Sequence, residues 1–265
     1  MTASPTSGAA GPAARDGAAG PVDFDRLLAE ATGEKYIYCK GAFRLAPPEG
    51  TDCLDCTALL DAAAFHALID RFAAGHGPAA DRRAVVSLWT LYYFSTLTIA
   101  ATVAWLEMRR RLPLALDEMK VCLDPTTGAP RAFVLSSPGS VEPGLSIEEG
   151  LHGLFRHHAE PLVGAIAASC GVSRKLLWGN VAAYVVWIVG EAGRLTDPRL
   201  ALEGAALVDP PHWSDGWKNP LSGAIRMERD STGAACARRR VCCLRYALPA
   251  VGGCGESCPL PQGRA

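Results

Sequence analysis

The sequence predicts a helix-dominated α+β fold, on three observations. Long apolar stretches of helical length and spacing recur along the chain, above all over residues 84–106 and 176–190. A Pro/Gly-rich turn, Asp124-Pro-Thr-Thr-Gly-Ala-Pro130, separates two runs of β-forming residues and reads as a hairpin. And 265 residues that are 49% hydrophobic and 20% charged supply the apolar material for one large core. That balance excludes a wholly disordered, collagen-like or coiled-coil chain.

Residues 1–22 are mostly Ala, Gly, Pro and Ser, without the basic start and apolar run of a secretory signal. They are expected to form a disordered tail, and a cytoplasmic location is the expectation that follows. Phe24, Leu27 and Leu28 fit a short helix over 23–31. Residues 36–45 alternate weakly, as a strand or hairpin does. Leu59, Leu60, Ala63, Leu68, Ile69 and Phe72 predict an amphipathic helix over 55–72, ended by Gly75-His-Gly-Pro78.

The uncharged run 84–106 is long enough to cross a bilayer. It holds Ser87, Thr90, Ser95, Thr96, Thr98 and Thr102, however, and both flanks are basic, without the asymmetry that orients a span. A buried core helix closing near Arg111 is expected. Residues 176–190 are judged too short for a second span, so membrane association is expected to be absent or peripheral.

Val121-Cys-Leu123 and Arg131-Ala-Phe-Val-Leu135 flank the hairpin turn. Ser146, followed by acids, predicts a helix N-cap with the helix running to His158 or beyond. Pro161 starts a further helix to Ser169, Ser173 caps another to about Arg194, and 198–206 adds a short one. Residues 209–220 read as a loop carrying Trp213 and Trp217. The organisation expected is a tail (1–22), a helical domain (23–230) and a cysteine-rich segment (231–265).

A net charge of −1 gives no basic field for nucleic acid. The chemistry sits in the ten cysteines. Cys242 and Cys243 are followed, after ten residues, by Cys254 and then, after three more, by Cys258. Four thiolates suit a 2Fe–2S cluster, two per iron, or a tetrahedral zinc. A ten-residue link reaches about 33 Å when extended, so it folds back easily. Neighbouring side chains on a strand face opposite ways, so an adjacent pair serves one centre only where the backbone turns. Gly252, Gly253 and Gly255 suit a loop whose amides approach sulfur closely. A zinc knuckle and a redox-active disulfide set remain open alternatives at this point.

Other signals are weaker. Cys53-Leu-Asp-Cys56, with Cys39 and His66 nearby, has a zinc-like spacing but no clear fourth ligand; free or occasionally disulfide-forming thiols are expected. Cys122 and Cys170 lie in apolar contexts and are expected to be small buried hydrophobes. Glu149-x-x-His152 occurs once, whereas di-iron bundles need it twice. Trp178-Gly179-Asn180 reads as packing, Gly179 admitting a helix contact and Asn180 satisfying a buried polar group. No Gly-x-Gly-x-x-Gly is present between a strand and a helix.

The residues around the cysteines resemble the C-terminus of FhuF-type ferric siderophore reductases. Arg-Arg precedes the pair, Cys242-Cys243-Leu-x-Tyr-x-Leu-Pro249 includes it, and Cys254-Gly and Cys258-Pro-Leu260 follow. Leu112-Pro113-Leu114, the 124–135 hairpin and Leu177-Trp178-Gly179-Asn180 are similar to upstream family blocks, so the resemblance spans roughly residues 36–260. The family pattern ends in Cys-x-x-Cys; here three residues separate Cys254 and Cys258, a change that Gly255 is expected to absorb, with Cys236 as a possible substitute ligand.

The resemblance implies a cytoplasmic one-electron reductase. Cys242, Cys243, Cys254 and Cys258 would hold a 2Fe–2S cluster that reduces Fe(III) in a siderophore of hydroxamate type. Tyr246, Trp213, Trp217 and Arg240, with Arg238 and Arg239, become candidates for facing the chelate or steering its partner. Without a nucleotide fingerprint, the electron would come from an external donor such as a ferredoxin or flavin reductase. The alternative is a non-redox siderophore- or metallophore-binding module with a structural zinc, since siderophore synthetases carry a related helical region.

Overall fold

The structure, a computed structural model, describes residues 23–229, 233, 235–248, 251–252, 255 and 257–260. The tail expected over 1–22 and the ligand candidate Cys254 lie outside the described residues. Asp23 opens α1 (Phe24–Thr32) by accepting the Asp25 amide with its carboxylate, which satisfies one of the helix's orphan donors. The next segment, expected as a strand or hairpin, is a 3₁₀ turn (Ile37–Cys39) followed by the two-residue strand β1 (Phe43–Arg44). Gly41, at φ 78°, turns the chain, and its amide is tied to Asp25 Oδ1 at 2.7 Å.

After β2 (Asp52–Asp55), the helix expected over 55–72 is split into a 3₁₀ segment (Cys56–Leu60) and α2 (Ala62–Ala73). Asp61 breaks it. Its backbone is extended and its carboxylate caps the new helix at Ala64 N, a local bond that competes with continuing the old one.

α3 (Arg82–Met108) fulfils the expectation of a core helix. It is capped by Asp81 and closed by Arg109 at φ 49°. Trp89, Tyr93, Phe94, Leu97 and Trp105 on it are fully buried. β3 (Arg110–Arg111) leads to β4 (Met119–Leu123) and β5 (Pro130–Leu135), the expected hairpin, and to β6 (Ser140–Val141), which pairs with β3. The main sheet runs β1-β5-β4-β2, with β1 parallel to β5 and the other pairs antiparallel. Cys122 is buried as expected but not free: it stands opposite Cys53 in the β2–β4 register and forms a disulfide with it. A separation of 69 residues hides that pairing from the sequence.

Ser146 does cap a helix, with Glu149 completing a capping box, but α4 (Ile147–Gly150) lasts one turn. A π-helical stretch (Gly153–Ala159) follows and feeds directly into α5 (Glu160–Cys170). Pro161 explains the wide turn: it donates no amide, and its ring would crowd the carbonyl four residues back in a regular helix. α6 (Arg174–Leu195), capped by Ser173, and α7 (Pro198–Val208) complete seven α-helices among the described residues. α6 matches the helix expected from Ser173 to about Arg194, but its 22 residues correct the judgement that 176–190 is too short for a span: among the described residues two helices, not one, are long and apolar enough to cross a membrane. In each, most of the apolar window is buried against the rest of the chain, 78% in α3 and 67% in α6.

α3 packs along α6, and α6 along α7. The close approach expected at Gly179 does not occur; a Cβ there would meet open space. It occurs at Gly204 on α7, where a Cβ would stand 2.2 Å from Val189, and at Gly150, 2.2 Å from the Trp105 ring. The last two strands, β7 (Ile225–Arg229) and β8 (Ala235–Arg239), form an antiparallel pair the sequence did not announce, one on either side of residue 230.

Candidate cysteine centre

β8 carries Arg238 and Arg239 just before the adjacent cysteines, and strand alternation sends the two arginines to opposite faces. Arg239 turns into the protein and is 6% exposed. A buried guanidinium needs an acceptor, and Asn180 Oδ1 on α6 accepts from its NH1. The amide nitrogen of the same Asn180 donates to Ser87 O at 3.2 Å and to Thr90 Oγ1 at 3.1 Å on α3. Ser87 Oγ in turn donates to the carbonyl of Cys243 at 2.6 Å. The cysteine pair is thus pinned to the two central helices through a chain of buried polar groups.

Arg238 faces the other way, where its NH1 donates to Cys258 O at 2.9 Å and its Nε pairs with Glu228. The Arg239 amide donates to Ser257 O at 2.9 Å. The Arg238 side chain and the Arg239 backbone therefore both hold the Cys258 segment, while the Arg239 side chain ties the strand before the adjacent pair to α6 and Ser87 holds the pair itself. The backbone turn that an adjacent pair requires is present: Leu244 takes the left-handed conformation at φ 63°, at a cost of about 1–2 kcal/mol. Its amide then reaches back to Cys242 Sγ at 3.3 Å. Gly255, at φ 70°, makes the turn before Cys258, whose amide donates to the Gly255 carbonyl at 3.2 Å.

Cys243 is buried, and Cys242 and Cys258 are half-buried. Burial holds the Cys242 thiol above its ordinary range, and the neighbouring Cys243 and Cys258 push it the same way; the Leu244 amide and Arg239 oppose them. Three thiols therefore share one electrostatic field. Among the described residues no three Cys, His, Asp or Glu side chains by themselves enclose a single ion. The donor set is all sulfur, which suits zinc or an iron–sulfur cluster and disfavours hard oxygen-seeking cations. N–H donors to sulfur and two nearby guanidinium groups fit an anionic thiolate-ligated group.

The other expected site residues divide. Arg240 is exposed, with its amide on Ala224 O at 2.9 Å, and Tyr246 is half-exposed in a 3₁₀ turn (Arg245–Ala247) beside the cysteine pair. Trp213 is a core residue: 3% exposed, its indole N–H donating to Leu207 O, its ring against Phe155. Trp217 packs on Trp213 and Trp178, with the Arg156 guanidinium 4.4 Å above its ring. Cys236 lies on β8 opposite Glu228, on the strand face that Arg238 shares. The Cys53/Cys56 spacing makes no metal site; Cys53 is in the disulfide and Cys56 is buried beside the Tyr93 hydroxyl. Glu149 serves its helix cap.

Ser87 and Arg239 are the positioning residues that sequence reading did not connect. Asn180 stood out as a buried polar group, but its partners lie 59 and 93 residues away.

The sequence pattern of the family described as "Ferric iron reductase FhuF-like transporter" matches residues 87–235. That span includes Ser87 and Asn180 and stops short of Cys242. A ferric siderophore reductase of Escherichia coli (strain K12) is 23% identical over 177 residues, covering 66% of this chain and 66% of that protein, just under two thirds of its length. Among solved structures, the aerobactin synthetase IucC from a hypervirulent pathotype of Klebsiella pneumoniae is similar at a TM-score of 0.49 and 13% identity. That similarity covers 66% of this chain and 36% of the synthetase.

Proposed function

The chain belongs to the FhuF-like ferric iron reductase family, and from that premise we propose that it reduces siderophore-bound Fe(III) by one electron at a 2Fe–2S cluster held by Cys242, Cys243, Cys254 and Cys258. The observation that carries this reading is that two cysteine-bearing segments are fixed on one scaffold, Cys243 by the Ser87 hydroxyl and the Cys258 segment by the Arg238 side chain and the Arg239 amide. Held there, the cluster would supply one-electron chemistry, with an external donor such as a ferredoxin or flavin reductase providing the electron that converts Fe(III) to Fe(II). Fe(III) prefers hard oxygen donors such as hydroxamates, and Fe(II) binds them more weakly, so reduction releases iron in the cytoplasm.

The chain's own residues prepare that exchange. Ser87 fixes the peptide after Cys243, and Asn180 in turn holds Ser87, which restrains the backbone that carries the cysteine pair. Burial of Cys243 keeps bulk water from one ligand. Arg238 and Arg239 offset the negative charge of four thiolates and favour the reduced, more anionic state.

The test is anaerobic purification with metal analysis and absorption spectra. We expect about two irons and two sulfides per chain, bleaching with dithionite, and return of colour with ferric hydroxamate as Fe(II) appears in a chelating trap. Colourless protein holding one zinc would overturn the reading in favour of a non-redox siderophore-binding module.

A further inference from the structure

A depression of about 250 Å³ opens between α3, α6 and the segment around β1. Its rim and walls include Tyr38, Lys40, Ser95, Thr96, Arg131 and Trp187. Two of these are unusual for a protein surface: Tyr38 and Trp187 are 46% and 45% exposed, with ring centroids 5.4 Å apart. Large aromatic rings left open side by side beside a cavity mark a binding surface more often than a packing accident. Two cationic side chains, Lys40 and Arg131, stand at the same rim, Arg131 sharing its guanidinium with Asp124. The Glu191–Arg194 pair lies near Tyr38. Aromatic faces with cationic donors suit a ligand that is organic on its outside and rich in anionic oxygen.

The depression is also joined to the cysteine centre. Asn180, Tyr184 and Trp187 lie four and three residues apart, on one face of α6. Asn180 anchors Arg239 at one end and Trp187 walls the depression at the other, seven residues or about 10 Å of helix away. Tyr184 lies between them on that face, and Ser95 of the depression and Arg239 and Cys243 of the cysteine centre all act on its hydroxyl.

We propose that this depression seats the ferric chelate, with Trp187 and Tyr38 against its organic arms and Lys40 and Arg131 toward its oxygens. The inference rests on the reductase reading and names where its substrate sits. It moves the substrate face from the Trp213/Trp217 loop, whose rings are spent in packing, to the opposite end of the α6 face that holds Asn180. A shallow seat is adequate, because the reaction needs only that Fe(III) approach the electron source.

The experiment separates binding from reduction. The gallium(III) complex of a linear trihydroxamate matches the ferric one in charge and size but accepts no electron. Titrated into the full-length protein, it should bind, and Trp187→Ala should weaken it tenfold or more, with Lys40→Glu weakening it severalfold. Tyr246→Ala serves as the competing site and should change affinity less than twofold. Unchanged melting curves check folding, which is expected because Trp187 and Lys40 are exposed. Wild-type affinity in Trp187→Ala, with ferric-chelate reduction intact, overturns the seat and leaves the reductase reading standing. Loss confined to the rate with a protein electron donor, at unchanged gallium-chelate affinity, overturns it in favour of donor docking. Wild-type protein that neither binds the gallium complex nor reduces the ferric one overturns both.

Discussion

Where α3 meets α6, the touching side chains are mostly apolar and fully buried, from Val86 and Leu97 to Val181 and Val185. From Arg238 to Leu260 only Arg239, Cys243 and Leu248 are buried among the described residues. The helical body stands on removed apolar surface, at roughly 25 cal/mol per Å². The cysteine segment places Cys243 and Leu248 in the core with Val241, Leu244, Ala247 and Val251 packed against it, and is held in addition by directed bonds: Ser87 to Cys243, Arg239 to Asn180, and Arg238 to Cys258. Directed bonds give position more than stability, since each is worth about 1 kcal/mol net. A segment built this way is suited to presenting ligands, and on the proposed reading it would gain stability from the group its cysteines bind.

Asn180 is where the two regimes meet, so its loss should be the largest single effect. Asn180→Leu leaves the buried Arg239 charge without its acceptor, and breaking such an arrangement costs about 3–5 kcal/mol. Urea unfolding measures this. Adding Arg239→Met should recover much of the loss while iron retention stays poor. A cost under about 1 kcal/mol for Asn180→Leu would mean that Arg239 finds water instead and the regimes are not coupled there.

The dryness of the helical body can be tested by pH. His158 is completely buried, accepting from Tyr93 at 2.6 Å through Nε2 while Nδ1–H donates to Leu114 O at 3.0 Å. Burial pushes its pKa down from the ordinary 6.5 to about 4, against the Leu114 bond, which raises it. The unfolded chain therefore binds the proton more readily than the folded one. Stability is fully present above pH 6.5 and is lost as pH falls toward 4, by about 3 kcal/mol in all. Unfolding free energies measured across that window should show the slope, and His158→Gln should remove it. A flat profile in the wild type would mean that water reaches the site.

Much of the body was legible because periodicity reports burial. The α3 run, the hairpin turn at Asp124 and the caps at Ser146 and Ser173 all follow from local rules, and the structure has them. Local rules failed where a single residue diverted the chain, as Asp61 does with its side-chain cap and Pro161 with its missing amide. They failed also for pairings between distant residues, the Cys53–Cys122 disulfide and the Asn180–Arg239 bond. The cysteines of the centre could be read from spacing and resemblance, but their support could not, because Ser87 looks like any hydroxyl in an apolar helix. The Tyr38–Trp187 depression left no motif at all, since it is assembled from four separate segments.

A smaller effect sharpens the account of packing within the body. Gly204→Ala places a methyl against Val189 and should cost about 1–3 kcal/mol by overpacking the α6–α7 contact. Gly179→Ala meets open space and should be neutral or stabilise α6 by up to about 1 kcal/mol through helix propensity. Thermal melts of the two variants rank them. The reverse order would relocate the tight helix crossing to the Trp178–Asn180 block.

The smallest effect on folding should come from the residues with the largest effect on metal. Cys242→Ser removes one proposed ligand from a half-buried position whose recorded hydrogen bond is the one from Leu244. If the helical body supports itself, its unfolding free energy should change by no more than about 0.5 kcal/mol, as for an ordinary surface substitution. Iron content of the anaerobically purified protein should nevertheless fall by more than half, because a thiolate is lost where serine is a poor substitute. The two readouts must separate for the comparison to hold. Should the body lose several kcal/mol along with its iron, the bound group would be part of the core. The polar bonds at Ser87 and Asn180 would then be fixing the helices to the cysteines, and not the cysteines to the helices.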